Sequence, residues 1–502
     1  MRTRTGVHSP KSWRNLQDSR SDGLKAVPCI TASDSQHPTE DSMAQNYDAI
    51  IIGAGQAGPP LARRLSDAGQ SVALIERHLF GGTCVNTGCI PTKAMVASAY
   101  AAHLARRGLD YGVIINGDVR ADMQIIKARK DRMSEQSRTG IEKMLRNLRR
   151  GAVYTGHARF RTAHEVSVGS QTMSADRIFI NVGGRAVVPS MPGLDRVPFL
   201  TNSSIMDLDT VPPHLVIIGG SYVGLEFGQM FRRFGSQVTI IEMGARLVQR
   251  EDEDISTAIQ DVLIGEGIAL RLNAQCIRIS GDAGAITAHI DCAEGSPSVE
   301  GTHLLLAVGR QPNTDDLGLD TAGVTRDERG YIAVNDRLET NVPGIWALGE
   351  CNGHGAFTHT AYNDFEIVAS NLLNGGAGKI SDRIPAYGLY IDPPLGRAGL
   401  TETEARRDGH KILIGKRPMT RVSRALEKGE TNGLMKIIVD SQSQEILGAA
   451  IFGTGGDEAI HCVLDTMYAR APYPVLEHAM HIHPTVCELI PTLLEELAPP
   501  AS

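Results

Sequence analysis

The run Gly81-Gly82-Thr83-Cys84-Val85-Asn86-Thr87-Gly88-Cys89-Ile90-Pro91-Thr92-Lys93 places two cysteines with four residues between them, among glycines and ahead of a proline. One tight helical turn would bring such a pair within disulfide reach. Glycine lets the backbone lie flat against a planar ring, and Pro91 favours a bend just beyond. The pair can then exchange electrons with a cofactor held by a neighbouring unit. Thiolate, not thiol, is the nucleophile in exchange, so a working pair also needs a base and a positive neighbour. Histidine takes and returns a proton near neutrality, and a carboxylate fixes its tautomer. His483 and Glu488, in a segment punctuated by Pro484, form the matching His–carboxylate pair. They lie at the other end of the sequence, so only tertiary or quaternary structure can bring them to Cys84.

The cofactor unit precedes the cysteines. Residues 47–52 read as a buried parallel strand, Gly53-Ala54-Gly55-Gln56-Ala57-Gly58 as the turn into a helix, and residues 71–75 as a strand ending at Glu76. GxGxxG alone is weak. Between a strand and a helix, with an acid 23 residues after its first glycine, it is a strong dinucleotide signature. The glycines admit a pyrophosphate to the helix N-terminus and Glu76 can accept ribose hydroxyls. Gly219-Gly220-Ser221-Tyr222-Val223-Gly224 repeats the pattern, again with an acid, Glu242, 23 residues on. Ser221 stands in the place of the middle glycine, so weaker or altered binding is expected there. Two units imply two dinucleotides, with a hydride relay between them.

The rest of the chain frames these units. It has 502 residues, 42% apolar and 21% charged, too many for one core. The net charge of −7 excludes a general attraction to nucleic acid or anionic membranes. No apolar run reaches the roughly 18–20 residues that a span needs. Eight cysteines are too few for a secreted disulfide scaffold, and the expected setting is a reducing cytoplasm. No second cysteine pair has zinc-ligand spacing, so no metal site is expected. Residues 1–46 are polar and lack a signal-peptide core; a disordered extension, or initiation at Met43, is the expectation. Residues 123–150 read as a basic, solvated helix and 152–182 as a β meander. From about residue 386, alternating strands and two helices (456–470 and 487–497) read as a separate α+β domain.

These motifs resemble the pyridine nucleotide–disulfide oxidoreductases, from about residue 47 to the C-terminus and in the family's order. The family includes dihydrolipoamide dehydrogenase, glutathione reductase and mercuric reductase. Gly-Gly-Thr-Cys-Val-Asn-Thr-Gly-Cys-Ile-Pro matches its redox centre, and His481-Ile482-His483-Pro484-Thr485 with Glu488 its base motif. The resemblance implies an α/β fold with two Rossmann-like domains and an α+β dimerisation domain. Its boundaries would be FAD binding over 47–190 and 313–384, NAD(P) binding over 191–312, and dimerisation over 385–502.

The resemblance also implies roles. Cys89 looks like the thiol packed on the flavin, in a charge-transfer complex with its ring, and Cys84 like the thiol that attacks substrate. Lys93 and Glu226 match an ion pair beside the flavin, and Tyr222 a gate over the nicotinamide pocket. His483, oriented by Glu488, resembles a base supplied by the other subunit of a homodimer. Gly53, Gly55, Gly58, Glu76, Gly82, Thr83, Glu350 and Thr358 match FAD-contacting positions, Glu350 replacing the usual Asp. Gly219, Gly224, Glu242 and Gly309 match the NAD(P) side. Glu242 favours NADH by accepting its 2′-hydroxyl and repelling a 2′-phosphate, with Arg246 the one nearby cation that would rescue NADPH.

The expected activity is NAD(P)H-dependent, FAD-mediated reduction of a metal ion or small oxidant, nearest the mercuric-reductase-like members. The residues show no Cys-x-x-Cys before position 47 and no vicinal cysteines at the C-terminal end. Both weigh against Hg(II) as the acceptor. Dihydrolipoamide dehydrogenase and a flavin-bearing thiol sensor are the alternatives, and the intact His483/Glu488 pair argues against the sensor. Cys351 and Cys462 read as small buried hydrophobes. Cys487 reads either as a serine-like replacement or as a third soft ligand beside Cys84 and Cys89.

Overall fold

The computed structural model describes residues 44–291 and 297–500, so most of the expected N-terminal extension lies outside the described residues. A five-stranded parallel sheet runs in the order Ile345–Ala347, Ile178–Ile180, Ala49–Ile52, Val72–Glu76, Gly151–Thr155. Its inner strands are almost uninterrupted Ile, Leu, Val and Ala because both faces are covered. Ala49 pairs with Val72 and Ile52 with Ile75, which leaves Gly53 and Glu76 together at the carboxyl edge. The helix Gly58–Asp67 covers one face with Leu61, Ala62 and Leu65.

The strand expected over 47–52 divides at Asp48. Gln45–Tyr47 joins a different sheet, alongside Gln171–Ala175, while Asp48 accepts from the Ser71 backbone N–H and hydroxyl. The meander expected over 152–182 is also only partly realised. Ala158–Phe160, Glu165–Val168 and Gln171–Ala175 are antiparallel neighbours, but the strands on either side return to the parallel sheet. Alternation alone does not distinguish a half-buried hairpin from the end of a buried strand.

A second parallel sheet holds the repeated motif, in the order Ala269–Arg271, Gln237–Ile241, His214–Ile218, His303–Leu306. The fold is thus α/β with two nucleotide-type sheets. After residue 385 a five-stranded antiparallel sheet carries the helices Gly456–Tyr468 and Leu489–Glu495. An ion cluster ties this sheet to the second nucleotide unit. Lys436 Nζ, 1% exposed, lies 3.0 Å from Asp252, 3.1 Å from Asp254 and 2.8 Å from Glu402.

Candidate active site

The two cysteines sit on successive helices, not on one turn. Cys84 lies within Gly82–Asn86; the chain breaks at Thr87 and Gly88, and Cys89 opens the helix Cys89–Arg106. Pro91 produces no bend. It occupies the first turn of the second helix, where a missing N–H costs nothing. Gly88 allows the close approach of the two segments, because a Cβ there would stand 2.8 Å from the Thr83 carbonyl oxygen. Both cysteines are free, and their side chains share a hydrogen bond.

Their ionisation is unequal. The hydrogen bond from Cys84 holds Cys89 down to about 5, helped by Thr358 and the Lys93 charge and opposed by burial. Thr358 Oγ1, which opens the helix Thr358–Leu373, lies 3.3 Å from Cys89 Sγ. The position of Cys89 at a helix N-terminus favours the thiolate as well. The same bond and burial push the Cys84 thiol up. One sulfur is a thiolate and the other its proton donor.

A cavity of about 740 Å³ opens beside them. It is lined by Gly53, Gly55, Glu76, Gly82, Thr83, Cys84, Cys89, Lys93, Tyr222, Glu226, Glu350 and Thr358, so twelve sequence-predicted residues meet in one place. Lys93 Nζ donates to Glu226 at 2.8 and 3.1 Å and stands 4.5 Å over the Tyr390 ring. Glu226 also accepts from the Tyr390 N–H at 3.0 Å. Tyr222 packs edge-on against Tyr387 and Phe357, with centroids 5.6 and 6.3 Å away, and burial pushes its hydroxyl up.

The cradle is shaped for a dinucleotide. Gly53 has φ +104°, and a Cβ on Gly58 would lie 2.3 Å from the Gly53 carbonyl oxygen, so helix and turn are in contact. Asn181 Oδ1 fixes the turn by accepting from the Gly58 N–H at 3.0 Å. Pro59 and Pro60 leave the helix's first turn short of N–H donors, and the loop amides of residues 55–57 are what a pyrophosphate would meet. Glu76 accepts from the Ala54 and His78 N–H groups, both at 2.8 Å, which orients its carboxylate at the cavity wall. These features fit FAD. Glu350 faces the same cavity but is gripped at 2.5 and 2.8 Å by Arg310.

The second unit repeats this construction. Glu242 accepts from the Gly220 N–H at 2.6 Å and the Gly244 N–H at 2.8 Å. Gly219 has φ +116°, and a Cβ on Gly224 would lie 2.0 Å from the Gly219 carbonyl oxygen. Gly309, at φ +121°, follows the strand His303–Leu306 at the edge of this unit. Arg246 points away, to the Glu251 carbonyl at 3.4 Å.

Chains with this arrangement are known. Residues 47–364 match the pyridine nucleotide-disulphide oxidoreductase family and residues 385–494 its dimerisation domain. The chain belongs to that family. It is 37% identical over 451 residues to the probable pyridine nucleotide-disulfide oxidoreductase RclA of Escherichia coli (strain K12), covering 88% of this chain and 97% of the relative. It is 32% identical over 449 residues to a mercuric reductase of Streptomyces lividans, covering 88% and 94%. The solved Cu(II) complex of HOCl-induced flavoprotein disulfide reductase RclA from E. coli superposes with a TM-score of 0.82 at 34% identity, covering 90% and 99%. The chain is an NAD(P)H-dependent flavoprotein disulfide oxidoreductase.

Gly58, Gly219, Gly224, Glu242, Gly309, His483 and Glu488 do not line the cavity. His483 Nδ1 bonds Glu488 Oε2 at 2.7 Å, but the imidazole is 73% exposed and does not line the cavity. Cys487 is not beside Cys84 either. Its Sγ lies 3.5 Å from that of Cys462, and both thiols are only partly buried, so Cys462 is not the fully buried small hydrophobe expected. Among the described residues no group of three His, Cys, Asp or Glu is placed to hold a metal ion. Cys351 is fully buried, as expected. Sequence reasoning missed Asn181, Arg310, Tyr387 and Tyr390, which carry no motif and reach the cavity region only through folding.

Proposed function

We propose that this enzyme passes electrons from NADH through FAD to a Cys84–Cys89 disulfide and on to Cu(II) or another small thiophilic oxidant. The observation that carries this reading is the unequal thiol pair at the cavity wall, with Cys89 held down to about 5 beside the Lys93–Glu226 ion pair. When bound, the flavin supplies two-electron transfer between nicotinamide and sulfur. Residues 47–190 and 313–384 hold it, with Glu76, Gly82, Thr83, Glu350 and Thr358 against it. Residues 191–312 hold the nicotinamide dinucleotide through Gly219, Gly224, Gly309 and Glu242, with Tyr222 as the gate.

Cys89 keeps its thiolate against the cofactor while Cys84, the protonated partner, faces the acceptor once a base removes its proton. His483 is that base, and residues 385–502 deliver it to the partner subunit of a homodimer. Its exposure supports this, as do Met480 and Ile482 beside it, 99% and 80% exposed. Among the described residues no helix is long and apolar enough to cross a membrane, and the free thiols suit a reducing cytoplasm. Copper is favoured because the solved RclA complex carries Cu(II) and soft thiolates hold the Cu(I) that its reduction gives. The test is NADH oxidation by the FAD-loaded protein with Cu(II), Hg(II), lipoamide and glutathione disulfide. Turnover with Cu(II) supports the reading; turnover with lipoamide alone replaces it with dihydrolipoamide dehydrogenase.

A further inference from the structure

Cys462 lies mid-way along the helix Gly456–Tyr468, whose Ala459, Ile460 and Val463 are buried in the core of the C-terminal sheet. Cys487 lies in the short segment between His483 and the helix Leu489–Glu495. Both thiols are free and half-buried, and their sulfurs are 3.5 Å apart although 25 residues separate them in sequence. Cys487 is also the residue next to Glu488, whose carboxylate holds His483 at 2.7 Å. Nothing in the electron path described above uses this second pair.

We propose that Cys462 and Cys487 are an oxidation site. A hydroperoxide converts them to a disulfide that disables the His483 base, an inference that rests on the base role assigned above. The sulfurs are 3.5 Å apart, close enough for either to resolve oxidation of the other. With Cys462 oxidised first, its sulfur attacks one peroxide oxygen and breaks the O–O bond, giving an alcohol (or water, from hydrogen peroxide) and a sulfenic acid. The Cys487 sulfur then attacks Cys462, the S–S bond forms, and water leaves with the Cys487 proton. Two thiols lose two electrons, and the O–O bond receives them.

The bond changes the base because of where each sulfur is anchored. A disulfide needs about 2.05 Å between sulfurs, so the pair must close by about 1.4 Å from 3.5 Å. Cys462 is fixed by a core-packed helix, whereas Cys487 lies in a loop-to-helix junction and is the residue that moves. Glu488 moves with it, and a hydrogen bond of 2.7 Å does not survive a displacement of that size. His483 then loses the carboxylate that sets its tautomer and supports its proton affinity. Oxidant would throttle the enzyme at its base, and NADH, which reaches only the cysteines at the cavity, would not reverse it.

The experiment uses the FAD-loaded full chain, treated with hydrogen peroxide, freed of oxidant, then reduced with NADH. Iodoacetamide traps Cys84, and mass spectrometry reads both the Cys84 adduct and any Cys462–Cys487 linked peptide. The expected result is a linked peptide and Cys84 alkylation slowed about tenfold or more. Cys462→Ser and Cys462→Ala should form no link and keep the untreated rate. Absence of the link, or a link with alkylation still within about twofold of untreated protein, overturns the switch. Untreated His483→Gln separates the two readings. If it alkylates at the wild-type rate, the base assignment fails and takes the switch with it. If it is slow while oxidised wild type is fast, only the switch fails.

Discussion

His483 and Glu488 are joined by a 2.7 Å hydrogen bond, yet the pair stands outside the cavity that holds Cys84. The carboxylate is largely buried and the imbalance is on the histidine, which presents its ring to solvent. An oriented imidazole with no substrate group in reach is half of the site proposed above. The family's dimerisation domain spans these residues, which gives the other half a source.

A subunit-mixing experiment tests this directly. Cys84→Ser and His483→Gln should each be nearly inactive, the histidine variant down by roughly 10²- to 10⁴-fold. Refolded together in equal amounts, they should recover about a quarter of the wild-type rate, since half the dimers are mixed and each has one whole site. No recovery on mixing, with dimers verified by light scattering, would show that each chain serves its own Cys84.

Cofactor choice follows from Glu242, whose carboxylate is already oriented by the Gly220 and Gly244 N–H groups. It remains an acceptor for a 2′-hydroxyl and a repellent for a 2′-phosphate, and Arg246 is turned to Glu251. NADH should exceed NADPH in kcat/KM by tenfold or more. Glu242→Ala should lower the NADH value about 10- to 100-fold, the weight of one charge-assisted hydrogen bond of about 1.5–3 kcal/mol. Equal efficiency with both nucleotides in the parent enzyme would remove the argument.

Much of this was readable before folding, and the reason is geometric. Gly53, Gly58 and Glu76 act within one strand–turn–helix unit, so spacing alone fixes their meeting, and Gly219, Gly224 and Glu242 repeat it. The cysteine run is local in the same way, although a new helix starts at Cys89, after the break at Thr87 and Gly88, where a single turn was expected. Arg310 on Glu350, Tyr390 on Lys93 and Glu226, and Cys462 on Cys487 were hidden because each contact joins segments far apart in sequence. Asp48 divided the first strand by bonding Ser71, a choice that no strand propensity records.

The Cys89 thiolate gives a pH signature. Its ordinary value near 9 is lowered to about 5, so the thiolate is present above that pH and the thiol returns below it. In the NADH-reduced, FAD-loaded enzyme, long-wavelength absorbance from a thiolate packed on the flavin should persist through neutrality and fade with a midpoint near 5 on acidification. Lys93→Met removes a favourable charge and should move that midpoint upward; Cys89→Ser should abolish the band. A midpoint near 9 in the parent enzyme would contradict the assigned roles of the two sulfurs.

Arg397 and Glu251 give a prediction about stability. Both side chains are buried, 1% and 0% exposed, with the guanidinium 3.7 Å from the carboxylate and no protein hydrogen bond to any Arg397 side-chain nitrogen among the described residues. Glu251 has one strong partner, the Tyr387 hydroxyl at 2.6 Å, and burial pushes its carboxyl up while Arg397 opposes that shift. Arg397→Met strands the carboxylate without its counter-charge and should cost about 3–5 kcal/mol. Arg397→Met with Glu251→Gln removes both charges and should regain most of that loss, because isosteric replacement of a whole buried pair is often neutral. Urea midpoints of the FAD-loaded proteins read the difference. Tyr387 stacks on Phe357 and meets Tyr222 edge-on, so the single variant should also raise the KM for NADH, and the double variant should restore it less fully than it restores stability.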